Sequence, residues 1–273
     1  MTFLQKLQVS QRNQTSLLCV GLDVDEQKIP KHLQTSPDPV LEFNKRIIEA
    51  TYDVVCAYKL NLAFYESLGE RGWKTIVQTL ALIPKGVITI GDGKRGDIGN
   101  TAEHYAKALF ADMRFDAVTA NPYMGFDSVE PFLKNPEKGV FILTLTSNPG
   151  SKDFQRLKVG EKTVYEKVAL AAKKWNKNKN VGLVVGATHP KELKEVRKLA
   201  YEMPLLIPGV GKQGGDLKSS VHYGCDRRGE LAIINASRSV IYASPGKDFA
   251  SAARKEATKL RDEIRRYQEQ FFH

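Results

Sequence analysis

In Asp92-Gly93-Lys94-Arg95-Gly96-Asp97-Ile98-Gly99-Asn100, two carboxylates and an ammonium follow directly on Val87-Ile88-Thr89-Ile90, an apolar stretch that reads as a buried strand. Charges at the end of a buried strand are costly unless they are paired or used. Strand side chains alternate with period two, so Asp92 and Lys94 are expected to point the same way, inward. A second lysine ends the run Val54-Val55-Cys56-Ala57-Tyr58-Lys59, with Asn61 two residues further on. By the same alternation Val55, Ala57 and Lys59 share a face, which directs Lys59 toward Asp92 and Lys94. A rim alternating Lys, Asp, Lys and Asp keeps each charge ionised through its neighbours at little net charge. It can hold an ammonium beside a reacting carbon in a dry pocket, where electrostatic stabilisation is strongest.

Two glycine- and serine-containing segments suit an anion. Ile207-Pro208-Gly209-Val210-Gly211-Lys212-Gln213-Gly214-Gly215-Asp216 follows one apolar run, and Asn235-Ala236-Ser237-Arg238-Ser239 follows the next. Glycines let backbone N–H groups approach a phosphate closely. Gln213 adds a neutral donor and Arg238 a bidentate cationic fork. In Thr144-Leu145-Thr146-Ser147-Asn148-Pro149-Gly150, Ser147 can hydrogen-bond the polar edge of a ring. Serine nucleophile chemistry is not expected, because no G-x-S-x-G turn surrounds it. His104 and His189 read as a helix-surface residue and a helix-start residue, neither catalytic. No HxH, HExxH or carboxylate cluster suggests a metal.

The elements that must carry these groups alternate. Candidate strands are Leu17–Asp23, Val54–Lys59, Val87–Asp92, Ala117–Asn121, Val140–Ser147, Val181–Ala187, Leu205–Gly209 and Leu231–Ser237. Between them Val40–Thr51, Trp73–Leu82, Thr101–Phe110, Val164–Trp175 and Pro190–Tyr201 have helical periodicity, and Phe249–Gln268 follows the last strand. Strand–helix alternation argues for a parallel sheet, and eight units argue for closure into a (β/α)8 barrel. An open doubly wound sheet is the alternative, but no GxGxxG follows the first strand. Asp23, Lys59, Asp92, Asn121 and Ser147 each end a different strand, with Thr188, Gly209 and Asn235–Arg238 completing the ring. That C-terminal rim is where such barrels collect their catalytic groups.

The chain has 273 residues, 42% hydrophobic and 26% charged, with no linker-like tract, so residues 1–273 are read as one α/β barrel domain. No apolar run approaches the ~20 residues of a membrane span, and the first residues lack a secretory apolar core, so a cytoplasmic protein is expected. The three cysteines share no metal spacing; Cys19 and Cys56 fall in apparent strands and Cys225 in a polar loop, all as reduced thiols. The formal charge of +10 raises the question of nucleic acid, and Lys173-Lys174-Trp175-Asn176-Lys177-Asn178-Lys179 interleaves lysines with an aromatic. That cluster ends a helix, where cations complement the dipole and face water, and the remaining basic residues are dispersed. A solvated basic surface is the favoured reading, over binding to nucleic acid or membrane.

The motifs GLDVD, AYKLNLAFYE, DGKRGDIGNTA, TSNPGS, PGVGKQGGD and NASRS occur in that order between Leu17 and Ser244. In this the sequence closely resembles the orotidine 5′-phosphate decarboxylase family, in its longer bacterial and protozoan subfamily. The resemblance implies that orotidine 5′-phosphate is decarboxylated to uridine 5′-phosphate with no cofactor and no metal. It implies that Lys59, Asp92, Lys94 and Asp97 form a charged tetrad, with Lys94 stabilising and then protonating a carbanion. Asp23 and Thr101 would contact ribose hydroxyls, with Asn61 nearby. Ser147, together with Thr146, would read the pyrimidine, and Pro208, Gln213 and Arg238 would hold the phosphate. The family places the residue matching Asp97, with Ile98 and Thr101, in the partner subunit's site, which implies a homodimer with shared sites. Gly93 departs from the family's commoner alanine or larger residue, with its side-chain direction expected away from the site. The rival reading is a related magnesium-dependent barrel lyase acting on a sugar phosphate, of the hexulose-phosphate synthase or ketogulonate-phosphate decarboxylase type, which shares D-x-K-x-x-D.

Overall fold

The computed structural model describes residues 1–210 and 215–272. Eight parallel strands close into a barrel: β1 (Leu18–Gly21), β2 (Ala57–Asn61), β3 (Ile88–Arg95), β4 (Ala117–Ala120), β5 (Gly139–Leu145), β6 (Val181–Val185), β7 (Leu205–Pro208) and β8 (Ala232–Ala236). Each pairs with its sequence neighbours, and β8 returns to β1 through Leu18↔Ile234, Cys19↔Asn235 and Val20↔Ala236. All eight expected strands are present, with ends trimmed by one to three residues in most. The strand β2 starts only at Ala57, so Val55 packs in the outer layer rather than sharing the inward face of Ala57 and Lys59.

Helices cover the outside. They include α1 (Phe3–Asn13), α2 (Pro39–Thr51), α3 (Leu62–Glu66), α4 (Glu70–Leu82), α5 (Gly99–Lys107), α6 (Glu130–Leu133), α7 (Ser151–Phe154), α8 (Val164–Trp175), α9 (Pro190–Leu199), α10 (Leu217–Gly224), α11 (Arg238–Ile241) and α12 (Phe249–Phe272). The periodic segments became α2, α4, α5, α8, α9 and α12; α5 loosens into one wide turn over Ala108–Asp112. Cys225 is buried at the end of α10 and not in an exposed loop, because the helix turns it onto the barrel wall. The lysines of the 173–179 cluster all face solvent, as expected of a helix end. Among the described residues no helix is long and apolar enough to cross a membrane.

The helix α1 had no counterpart in the strand–helix pattern. Thr2 caps it, accepting from Gln5 N while the Gln5 side chain accepts from Thr2 N, a reciprocal box that satisfies two orphan donors. Its buried stripe, Phe3, Leu7, Ser10 and Gln11, follows helical spacing and closes the N-terminal mouth of the barrel. Phe3 and Leu7 join Cys19, Ala57, Ile88, Ile90, Ala117, Phe141, Val184, Leu206 and Ile233 in the barrel interior. Ser10 donates to Cys56 O at 2.7 Å, and Gln11 donates to Ala232 O at 2.7 Å while accepting from Leu231 N. Among the described residues the interior is therefore filled from below, and the barrel opens at its C-terminal end.

Candidate active site

The open end holds a pocket to which every barrel strand, or the loop that follows it, contributes. At its centre is Asp92, buried on β3. Its Oδ2 accepts from Lys59 Nζ at 3.0 Å and its Oδ1 from Lys94 Nζ at 2.7 Å. Lys59 Nζ also reaches Asp23 Oδ1 at 3.3 Å. The Ser237 hydroxyl lies 2.9 Å from both Asp23 Oδ2 and Gly21 O, one proton for two acceptors. A Cβ at Gly21 would fall 2.9 Å from Ser237, so only glycine lets β1 and the β8 loop approach this closely.

The four charges Asp23, Lys59, Asp92 and Lys94 balance. Burial by itself would strip the proton from the Lys59 ammonium, but Asp23 and Asp92 together outweigh it and hold its pKa above the usual lysine value. Burial likewise opposes ionisation of Asp92, and Lys59 and Lys94 more than offset this, keeping its pKa well below the usual carboxylate range. Lys94 differs from Lys59 in exposure: its side chain is 44% exposed against 5%, so it is the cation that faces the pocket's contents.

Strand alternation does not bring Asp92 and Lys94 together. Between Gly91↔Val118 and Arg95↔Ala120 the register shifts, so Asp92, Gly93 and Lys94 lie opposite the single residue Thr119. Lys94 takes a left-handed backbone, φ 47°, which a residue with a Cβ adopts only under constraint. A Cβ on Gly93 would point at Leu62 Cδ1 and the Arg95 side chain, away from the pocket, as expected.

Of the other sequence-predicted residues, Asn61, Thr146, Ser147, Pro208 and Arg238 all line this pocket. Asn61 Oδ1 caps α3 by accepting from Ala63 N. Thr146 N donates to Gln155 Oε1 at 2.8 Å, and His189 Nε2 lies 3.2 Å from Thr146 O with Nδ1 3.0 Å from Arg156. His189, expected at a helix start, precedes α9 and also braces the Thr146–Ser147 loop. Arg238 is exposed at the rim, and no carboxylate pairs with it among the described residues. Gly209 (φ 98°) and Val210 lie at the same end, and Val210 bridges Gly215. Gln213 lies outside the described residues.

Asp97, Ile98 and Thr101 do not line their own chain's pocket. Beyond Arg95 the chain leaves the barrel for α5; Asp97 Oδ1 accepts from Ile98 N at 2.8 Å, and Ile98 is 55% exposed. Within one chain the fourth charge of the array is Asp23. Asn121 and Thr188, expected in the ring, do not line the pocket. Asn121 N donates to Arg95 O and its Oδ1 accepts from Tyr123 N, so it shapes the loop after β4. Sequence reasoning missed Thr119 and the apolar floor of Leu143, Val184 and Leu206, all legible as inward positions once each strand's end is known. Among the described residues no three His, Cys, Asp or Glu side chains cluster as metal ligands.

The family model described as "Orotidine 5'-phosphate decarboxylase / HUMPS family" matches residues 16–255. The orotidine 5′-phosphate decarboxylase of Dehalococcoides mccartyi is 50% identical over 275 aligned positions, covering 99% of this chain and 100% of that one. That of Herpetosiphon aurantiacus is 50% identical over 257 positions, with 93% and 95% covered. The solved structure of Leishmania donovani OMP decarboxylase superposes with a TM-score of 0.86 at 39% identity, covering 98% of this chain and all of that one.

Replacing Lys59 by Met leaves the buried Asp92 and the partly buried Asp23 short of a cation, a loss expected to cost about 3–5 kcal/mol at pH 7. In the parent the depressed Asp92 pKa contributes stability above the unfolded value, lost only as pH falls through the folded one. In Lys59→Met the folded Asp92 pKa rises, because its largest lowering charge is gone, so acid relieves the defect. Denaturant titrations should therefore show a large gap at pH 7 that narrows toward pH 4; a gap that is constant with pH would contradict this account.

Proposed function

The chain belongs to the orotidine 5′-phosphate decarboxylase / HUMPS family and is a carboxy-lyase that converts orotidine 5′-phosphate to uridine 5′-phosphate in pyrimidine biosynthesis; we propose that it does so with its own ionised side chains alone. The observation that carries this reading is the half-exposed Lys94 ammonium, lining the pocket and paired at 2.7 Å with the buried Asp92, whose pKa the two lysines hold well below the usual carboxylate range. Loss of CO2 from C6 breaks the C6–carboxylate bond and leaves its electron pair on an sp2 carbon with no π system placed to absorb it. Cofactor-dependent decarboxylases supply an electron sink for such a pair. Here the Lys94 ammonium lies beside the developing charge, stabilises it, and then donates its proton to C6. Asp92 orients that ammonium, and Lys59 keeps Asp92 charged while ordering Asp23 toward the ribose.

The remaining residues divide by what they hold. Asp23 and Asn61 contact the ribose, Thr146 and Ser147 read the pyrimidine edge, and Pro208, Gln213 and Arg238 bind the phosphate. Binding energy gathered at the phosphate, remote from C6, goes into organising the charged centre. Asp97, Ile98 and Thr101 lie outside their own pocket, Ile98 and Thr101 exposed and Asp97 partly so, which supports a homodimer in which they complete the partner's site. Cytoplasmic residence goes with this reading, as does the presence of free thiols at Cys19, Cys56 and Cys225. The magnesium-dependent lyase reading is disfavoured by Lys59 on Asp92, which occupies the carboxylate such a metal would need.

Lys94→Ala should abolish turnover of orotidine 5′-phosphate, followed by absorbance in EDTA, while leaving the fold intact by circular dichroism; near-parental kcat would refute the role. The parent's activity in EDTA separates it from the magnesium-dependent lyases. Arg238→Ala should weaken the phosphorylated substrate by about 1.5–3 kcal/mol, the scale of a charged hydrogen bond, and barely alter a nucleoside lacking phosphate. Equal losses on both would count against phosphate binding. Mixtures of inactive Lys94→Ala and Asp97→Ala chains should regain activity through hybrid dimers carrying one intact site. No recovery in demonstrated heterodimers would show that the site is not shared.

A further inference from the structure

We propose that Thr119 is a positioning residue of the decarboxylation, holding the Asp92 carboxylate and the Lys94 backbone at once; this rests on the roles given above to Lys94 and Asp92. Thr119 is the one β4 residue opposite the three-residue bulge of Asp92, Gly93 and Lys94. It is 1% exposed and its hydroxyl is used twice. Its proton goes to Asp92 Oδ1 at 2.8 Å, and its oxygen accepts from Lys94 N at 2.9 Å. Asp92 Oδ1 also accepts from Lys94 Nζ at 2.7 Å. A closed ring therefore runs from the Lys94 amide through Thr119 and Asp92 to the tip of the same lysine. Lys94 is held at both ends.

The ring explains how a lysine stays at φ 47°. The bulge offers its amide a side-chain acceptor on β4, and a β-branched threonine is stiff at χ1, so the acceptor stays put. Valine has the same shape but neither donates nor accepts. In its place the buried Asp92 Oδ1 loses a donor and the Lys94 N–H loses its acceptor, and both groups are free to turn. A small displacement of the ammonium from C6 is enough to slow proton delivery and charge stabilisation. Were Thr119 merely floor packing beside Leu143 and Val184, valine would serve as well as threonine.

The test compares Thr119→Val, Thr119→Ala and Thr119→Ser, with kcat and KM for orotidine 5′-phosphate and the Kd of uridine 5′-phosphate for each. Thr119→Val and Thr119→Ala should lose about tenfold to a hundredfold in kcat with KM and Kd within about threefold, and Thr119→Ser should stay within about fivefold of the parent. Thr119→Ala adds no bulk, so it reports even if valine is not accommodated. Parental kcat in Thr119→Ala, or Thr119→Ser as slow as Thr119→Ala, overturns the proposal, as does a parallel loss of product affinity. Lys94→Ala run alongside separates the two readings. If it is active, the catalytic assignment itself fails; if it is inactive while Thr119→Ala keeps the parental rate, only the role of Thr119 fails.

Discussion

One buried carboxylate held between two ammoniums organises this molecule. Removing a carboxylate from water costs several kcal/mol even after the protein relaxes, and a single cation does not reliably offset it. Asp92 has a lysine on each oxygen, and one of these, Lys59, is shared with Asp23. The arrangement requires three neighbouring strands to end at matching heights, which the closed register Gly21↔Lys59 and Asn61↔Asp92 provides. An open sheet would leave the first and last strands apart, and Ser237 on the β8 loop could not reach Asp23 on the β1 loop. Closure of the barrel and ionisation of the pocket are thus one condition.

The division of labour between the two lysines follows from depth. Lys59 is sealed in and its charge is spent on its neighbours, which makes it a fixed part of the wall. Lys94 sits one bulge further out, with a strained backbone and a partly solvated tip, which suits it to the proton transfer proposed for it. A regular strand could not supply both, because alternation would set the second lysine in line above the first carboxylate and hold it no more firmly than any strand-end side chain. The extra residues opposite Thr119 turn Lys94 back over Asp92, at a backbone cost of about 1–3 kcal/mol that the surrounding contacts offset.

The barrel was legible because buried parallel strands write themselves as short apolar runs, and all eight are visible from Leu17 to Ser237. Charged residues ending those runs gave Asp23, Lys59, Asp92 and Lys94 by position alone. What the sequence hid depends on contacts distant along the chain. The helix α1 carries too few apolar residues to stand out, since Ser10 and Gln11 in its buried stripe bond to the backbone carbonyls of Cys56, just before β2, and Ala232, at the start of β8. Asn121 was read as a rim residue in place of Thr119 because β4 ends at Ala120, and no periodicity fixes an end so finely. The bulge in β3 likewise leaves no trace in composition, as Gly93 is as compatible with a turn as with a strand. Asp97, close in sequence to Lys94, lies outside the pocket that Lys94 lines, because the chain leaves the barrel after Arg95, and its place in the motif does not reveal that departure.

The corked floor of the barrel decides the traffic of the reaction. With Phe3 and Leu7 filling the lower mouth and aliphatic layers stacked above them, nothing passes along the axis. Among the described residues the pocket opens at this one end, beside Arg238 and Gly209, and substrate and products share that doorway. With the phosphate placed at Arg238 as proposed, the reacting carbon lies beneath the rest of the nucleotide, and carbon dioxide formed there leaves past it, so departures are ordered by depth.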